Sequence, residues 1–233
     1  MFKKITTWII DYVHLAKSFT HSLIFRSPPE HYLGYIDSTK VPVVLVPGIN
    51  SKWNFLKKIA DGISKSGHPL YISKDLGYNR KDITTSAQLV REMIDKHNLH
   101  NVIILAHSKG GLLGKQMLLQ CNEDHRIIKV IAIASPFLGS NLAQYVPDKA
   151  LRELAPESAA LQDQNTRFAV NKDIVSIYGL YDNHVWPTEH SILQGAENIK
   201  VETEGHHQIL SNPKTAAIVR EKIAEITSQL HIK

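Results

Sequence analysis

Residues 102–111 read V-I-I-L-A-H-S-K-G-G, and the residue there with covalent chemistry to offer is Ser108. A serine hydroxyl attacks a carbonyl only when a base takes its proton and when donors receive the charge that forms on the carbonyl oxygen. The neighbouring residues describe a place suited to both. Residues 102–106 are apolar without in/out alternation, as expected of a strand covered on both faces in a parallel sheet. Leu112, Leu113, Met117 and Leu118 then recur at helical spacing, so Ser108 falls at a strand-to-helix corner. Small residues two before and two after it, Ala106 and Gly110, keep side chains out of the turn and leave the hydroxyl projecting above the sheet. The N–H groups that open the following helix point to the same spot, where negative charge would develop.

This corner resembles the nucleophile turn of the α/β-hydrolase superfamily. The family pattern is G-x-S-x-G, and A-H-S-K-G is similar to a variant found in some small lipases. The resemblance makes Ser108 the nucleophile and implies its partners. Residues 41–48, V-P-V-V-L-V-P-G, form a second buried strand that ends in a glycine turn before a helical stretch over 52–65. In lipase-like members that turn carries H-G and a following N–H that binds the oxyanion. Pro47 stands in place of the histidine here, and the implied donors are the main-chain N–H groups of Ile49 and Lys109.

Downstream, residues 173–180, D-I-V-S-I-Y-G-L, form another strand, and Asp182 in the loop after it has the position of the triad acid; Asp173 and Glu189 are the alternatives. A short strand over 198–203 leads to two adjacent histidines. The family-like pattern G-H-x-x-L/I-L, read as Gly205-His206-His207-Gln208-Ile209-Leu210, selects His206 as the base, with His207 as the fallback. The order Ser108, Asp182, His206 is that of the α/β hydrolases, each residue following a strand at what would be one edge of the sheet.

The activity implied is hydrolysis of a carboxylic ester, on a small-molecule ester or lipid, through an acyl-enzyme and without metal or organic cofactor. Acyl transfer, thioester hydrolysis and amide hydrolysis use the same triad, and a lipid-binding or scaffold protein that kept the fold is the alternative of a different class.

The elements that must hold these groups alternate strand and helix. Strand candidates near residues 43, 70, 103, 130, 175 and 200, including 69–73 and 127–134, give about six, with helical crossovers such as 86–97 between them. That alternation implies a three-layer αβα architecture around a mostly parallel sheet. The last helix is well marked: Asn212 can cap it, Pro213 suits its first turn, and Val219, Ile223, Ile226 and Leu230 make one apolar face. The early strands of larger family members are missing, which makes this a compact version.

Residues 137–168 interrupt the alternation. Ser135 to Ser140 resemble the lipase segment after the strand that follows the nucleophile helix, and Leu154 to Ser158 resemble a small helical cap. Two readings stand, a cap lined by Leu142, Tyr145, Val146, Leu151, Leu154 and Leu161 that would accept an acyl chain, or a crossover packed into the core.

Residues 1–26 form a separate amphipathic helix. Phe2, Ile5, Ile9, Tyr12, Val13, Ala16 and Phe19 recur at helical spacing, and Lys3, Lys4, Asp11, His14 and Lys17 fall largely elsewhere around the wheel. Asp11, His14 and Lys17 break the apolar run, against a signal sequence or a membrane span. Such a helix either docks on the domain or makes peripheral contact with a membrane surface. Residues 27–40 are a polar connector, and 41–233 are the catalytic domain.

At 233 residues with 43% hydrophobic and 21% charged content, the chain can bury a substantial core. The single cysteine, Cys121, permits no intrachain disulfide and favours a reducing, cytoplasmic setting. A net charge of +5 spread along the chain is no footprint for nucleic acid. His97 and His100 have metal-like spacing, but no carboxylate or cysteine completes a ligand set and no H-E-x-x-H occurs.

Overall fold

The computed structural model describes residues 2–25, 27–34 and 36–230; the side chains of Phe2, Lys3 and Lys4 lie outside the described residues. Among the described residues six strands form one sheet: β1 (Val43–Val46), β2 (Leu70–Ile72), β3 (Val102–His107), β4 (Ile127–Ile133), β5 (Ile174–Tyr178) and β6 (Glu197–Lys200). Their order is β2-β1-β3-β4-β5-β6, and every pairing is parallel. All six residues of β3 are buried, as a strand between two helical layers requires. Val46 pairs with Ala106 and His107 with Ile133, so the C-terminal ends of β1, β3 and β4 lie level along one edge.

The helices are α1 (Phe2–Ile24), α2 (His31–Gly34), α3 (Lys57–Lys65), α4 (Ile83–Lys96), α5 (Lys109–Gln120), α6 (Lys149–Arg152), α7 (Ala159–Thr166), α8 (Gln208–Ser211) and α9 (Pro213–Leu230). Because strand side chains alternate faces, the sheet feeds two cores. Val44, Ile104, Ala106 and Val130 meet Val90 of α4 and Leu112 and Leu113 of α5. On the other face Leu45, Ile103, Ile131 and Val175 meet Ile59 and Ile63 of α3 and Val219 and Ile223 of α9. This is the three-layer αβα architecture that the alternation implies, as expected from the resemblance to the α/β hydrolases.

Element ends differ from the sequence reading for local reasons. The stretch over 52–65 opens with a 3₁₀ turn, Trp53–Leu56, before α3 begins. α4 starts at Ile83, ahead of the expected 86, because the Asp82 carboxylate accepts the Thr85 N–H at 2.8 Å and caps it. β6 ends at Lys200, and an isolated bridge from Tyr181 to Glu204 carries the edge onward.

In the 137–168 segment, Phe137, Leu154, Ala155 and Leu161 are buried in the same core as α4 and α5. Tyr145 is 79% exposed.

α1 departs most from expectation. Asp11, placed by the helical wheel away from the apolar stripe, is fully buried, whereas Ile5, Ile9, Val13, Leu23 and Ile24 are exposed. The helix is seated through polar contacts: Thr7 Oγ1 donates to Glu204 at 2.8 Å, Trp8 Nε1 to the Tyr181 hydroxyl at 2.7 Å, and Asn54 Nδ2 to the Ser18 carbonyl. Among the described residues no helix is long and apolar enough to cross a membrane.

Candidate active site

Ser108 stands between β3 and α5 with φ 53° and ψ −125°, a left-handed conformation that costs a non-glycine residue about 1–3 kcal/mol. Close packing of the helix beneath the sheet enforces it. A Cβ on Gly110 would lie 2.2 Å from the Val46 carbonyl oxygen, and one on Gly111 would lie 2.1 Å from Ser135 Oγ. Glycine at both positions lets α5 start directly under β1 and β4. The Ser108 N–H donates to the Ile133 carbonyl at 2.9 Å, pinning the corner to β4. Gly48 abuts it from the β1 side, where a Cβ would sit 3.0 Å from Ser108 Cβ.

Asp182 and His206 come together. Asp182 Oδ2 accepts from His206 Nδ1 at 2.7 Å, and Oδ1 accepts the His184 and Val185 N–H groups at 2.7 and 2.8 Å. Both side chains are buried. Burial pushes the Asp182 carboxyl up to about 6 against the pull of those two N–H groups. Burial, with the neighbouring His207, draws His206 down to about 3. At neutral pH the pair is therefore an ionised carboxylate facing a neutral imidazole, the state a general base needs. The imidazole lies beside the Ser108 corner: its ring is 4.7 Å from that of His107, the residue preceding Ser108. No hydrogen bond joins Ser108 Oγ to His206 in the structure; such bonds commonly tighten only when substrate is bound.

Of the implied oxyanion donors, Lys109 opens α5, where helix geometry leaves the N–H without an internal partner. Ile49 follows Gly48, which packs against the serine, and no protein acceptor takes its N–H among the described residues. The Lys109 side chain has a role that main-chain reasoning missed. Its ammonium is buried, lies 3.2 Å from Glu153 Oε2 and donates to the Lys81 carbonyl. It thereby ties the Ser108 corner to the 137–168 segment. Asp173 and Glu189 take no part in the His206 pair. His97 lies against Tyr71 and His100 bonds Asn98.

Sequence reasoning also passed over a shell of histidines. His107 is buried, and its Nε2 donates to the His206 carbonyl at 3.1 Å. His184 stacks on His206 at 4.7 Å and 13°. The fallback base His207 points elsewhere, its Nδ1 donating to Asp11 Oδ2 at 2.9 Å. Asp11, His184 and His207 have donor atoms within 4.8 Å of one another, the one such group among the described residues. Hydrogen bonds already account for the Asp11 carboxylate, both of whose oxygens accept from the His207–Gln208 backbone or the His207 ring.

An apolar cavity of about 930 Å³ opens beside the pair. Ile5, Trp8, Ile9 and Tyr12 of α1 form one wall, Leu142 and Trp186 contribute to another, and Asp182 and Asn183 also line it.

A model of the PGAP1-like alpha/beta domain family matches residues 68–219, well over half of the chain. The chain belongs to that family. The matched region contains Ser108, Asp182 and His206, and α1 lies outside it. No curated protein sequence matches. Solved structures share the fold at low identity. The mature form of the Bacillus licheniformis lipase BlEst2 aligns with a TM-score of 0.67 at 18% identity, over 84% of this chain and 96% of that one. Aspergillus fumigatus lipase B gives 0.63 at 19%, over 82% of this chain and 54% of its own. MGS-MChE2, an α/β-hydrolase enzyme from the metagenome of Mar Chica lagoon sediments in Morocco, gives 0.60 at 18%, over 80% and 91%.

Proposed function

We propose that the protein hydrolyses carboxylic esters of lipid-like acids with Ser108 as nucleophile, His206 as general base and Asp182 as its orienting carboxylate. The observation that carries this reading is the buried 2.7 Å Asp182–His206 pair beside a serine in strained backbone geometry. In the proposed cycle His206 Nε2 takes the Ser108 proton as Oγ attacks the carbonyl. Asp182 holds the proton on Nδ1 and stabilises the imidazolium, and the N–H groups of Ile49 and Lys109 bind the oxyanion. The imidazolium then protonates the leaving alkoxide, and water repeats the sequence to release the acid. The apolar cavity supports a longer acyl chain over an acetyl group, and two of the structural neighbours are lipases.

The test is a fluorophosphonate probe with Ser108→Ala as control, followed by rates on p-nitrophenyl esters of increasing chain length. Labelling confined to native protein and a rate that climbs with chain length support the reading; unlabelled native protein favours a non-catalytic lipid-binding or scaffold role. Product analysis in the presence of alcohols, thioesters and amides separates hydrolysis from acyl transfer, thioesterase and amidase activity.

The exposed apolar side chains of α1 around the cavity support a second element: peripheral contact of a cytoplasmic protein with a lipid surface. Vesicle flotation tests it, with Ile9→Glu and Ile24→Glu expected to weaken binding.

A further inference from the structure

An ionised carboxylate buried as completely as that of Asp11 costs several kcal/mol unless its surroundings answer it. All the answering groups lie on one short loop. Asp11 Oδ1 accepts the N–H of His207 at 2.6 Å and of Gln208 at 3.0 Å, and Oδ2 accepts from His207 Nδ1 at 2.9 Å. The loop is shaped to admit it: a Cβ on Gly205, whose φ is +105°, would lie 2.7 Å from Asp11 Oδ1. His206 lies between that glycine and the bonded residues.

Two bonds, one from each side, act on the single peptide group that follows His206. The carbonyl of His206 and the N–H of His207 belong to the same rigid plane. His107 Nε2 holds the carbonyl at 3.1 Å, and Asp11 holds the N–H. The N–H of His206 itself donates to Asn183 Oδ1 at 3.0 Å. His107 and Asn183 adjoin Ser108 and Asp182 in the chain, so two of the three restraints come from the candidate site. The third comes from a helix 196 residues away.

We propose that Asp11 is a positioning residue for His206: its bond to the His207 N–H, rather than the seating of α1 as a whole, aims the base, and this one side chain of α1 is thereby part of the hydrolytic machinery. The inference rests on the proposed Ser108–His206–Asp182 chemistry. A base displaced by a fraction of an ångström from both its serine and its carboxylate loses rate and leaves substrate affinity largely intact.

The experiment compares full-length native protein with Asp11→Asn and with Asn54→Ala. The latter removes a bond that seats α1 at Ser18, at a side chain that makes no hydrogen bond to the His206 loop and does not line the cavity. Asp11→Asn is expected to lower kcat about 10- to 100-fold with KM changed less than about twofold. It should also shift or broaden the downfield proton resonance of the His206–Asp182 bond. Asn54→Ala is expected to lower the melting temperature by a comparable amount while keeping kcat and that resonance. Should Asp11→Asn not fold, Asp11→Ser, which keeps an acceptor in a smaller volume, is measured in the same way. Native kcat and an unmoved resonance in the Asp11 variant overturn the inference, and so do parallel losses of kcat in both variants. Fluorophosphonate labelling of native protein separates the two levels: none removes the proposed function and this inference with it, whereas equal labelling rates in native and Asp11→Asn protein remove the inference alone.

Discussion

Asp182→Asn should abolish most of the activity through one atom. Asp182 Oδ1 accepts two main-chain N–H groups, from His184 and Val185, at 2.7 and 2.8 Å. An asparagine can keep both bonds only by placing its carbonyl oxygen there, so its amide NH₂ must face His206 Nδ1. Two donors cannot share that 2.7 Å contact. The imidazole therefore moves its proton to Nε2, the nitrogen that should receive the Ser108 proton. The same wrong-tautomer effect costs a serine protease about 10⁴ in kcat, which corresponds to about 5.5 kcal/mol of barrier.

Stability should move the other way. Burial raises the Asp182 pKa above its ordinary 3.8 to about 6. Its contribution to folding is thus full below about pH 3.8 and is lost as pH rises through about 6. At pH 7 the neutral asparagine escapes that penalty, and the melting temperature of the variant should match or exceed the native value. Steady-state rates on a p-nitrophenyl ester, paired with thermal unfolding at pH 7, measure both quantities. A kcat within tenfold of native would falsify the orienting role of Asp182. A loss of activity that merely tracked a fall in melting temperature would attribute the effect to folding instead.

The pH–rate profile should show one acid limb near pH 6. With Asp182 near 6 and His206 near 3, the coupled pair takes up its first proton there, and kcat/KM should be flat from about pH 7 upward until other groups titrate; a limb centred at 8 contradicts the buried pair. Gly110→Ala would set a methyl 2.2 Å from the Val46 carbonyl. It should cost about 1–3 kcal/mol in a denaturant titration and displace Ser108, with fluorophosphonate labelling lost even where the protein is folded. Glu153→Ala would leave the buried Lys109 ammonium with the Lys81 carbonyl but without its carboxylate. A loss of about 3 kcal/mol is expected from stranding that charge, and an unchanged urea midpoint would contradict it.

The parts legible in the sequence are those set by local pattern. A strand buried on both faces cannot alternate, so residues 102–106 betrayed the middle of the sheet, and with it the serine at its end. That Asp182 and His206 come together was legible because loops after parallel strands gather at one edge. The strain at Ser108 was not legible, since it arises from the clearance between Gly110 and the Val46 carbonyl across two strands. The 137–168 segment was ambiguous for a related reason. Its apolar residues serve both readings, with Leu161 in the core and Leu142 in the cavity wall, and spacing carries no sign of which surface each one meets.

Asp11 was misplaced because a helical wheel assigns polar residues to water, and that assignment fails when a carboxylate has its own set of donors waiting in the interior. The donors belong to residues 207 and 208, so no window of local sequence contains both halves of the contact. One sign was present: Asp11 is the only acidic residue before Glu30, in a segment whose other charges are basic. A carboxylate placed for solubility would have no reason to be solitary. The exposed apolar face follows from the same contact. Turning Asp11 inward fixes the rotation of α1, and that rotation presents Ile5, Ile9 and Tyr12 to the cavity beside Asp182. A single buried hydrogen-bonded charge thus sets both the aim of the histidine loop and the apolar wall next to it.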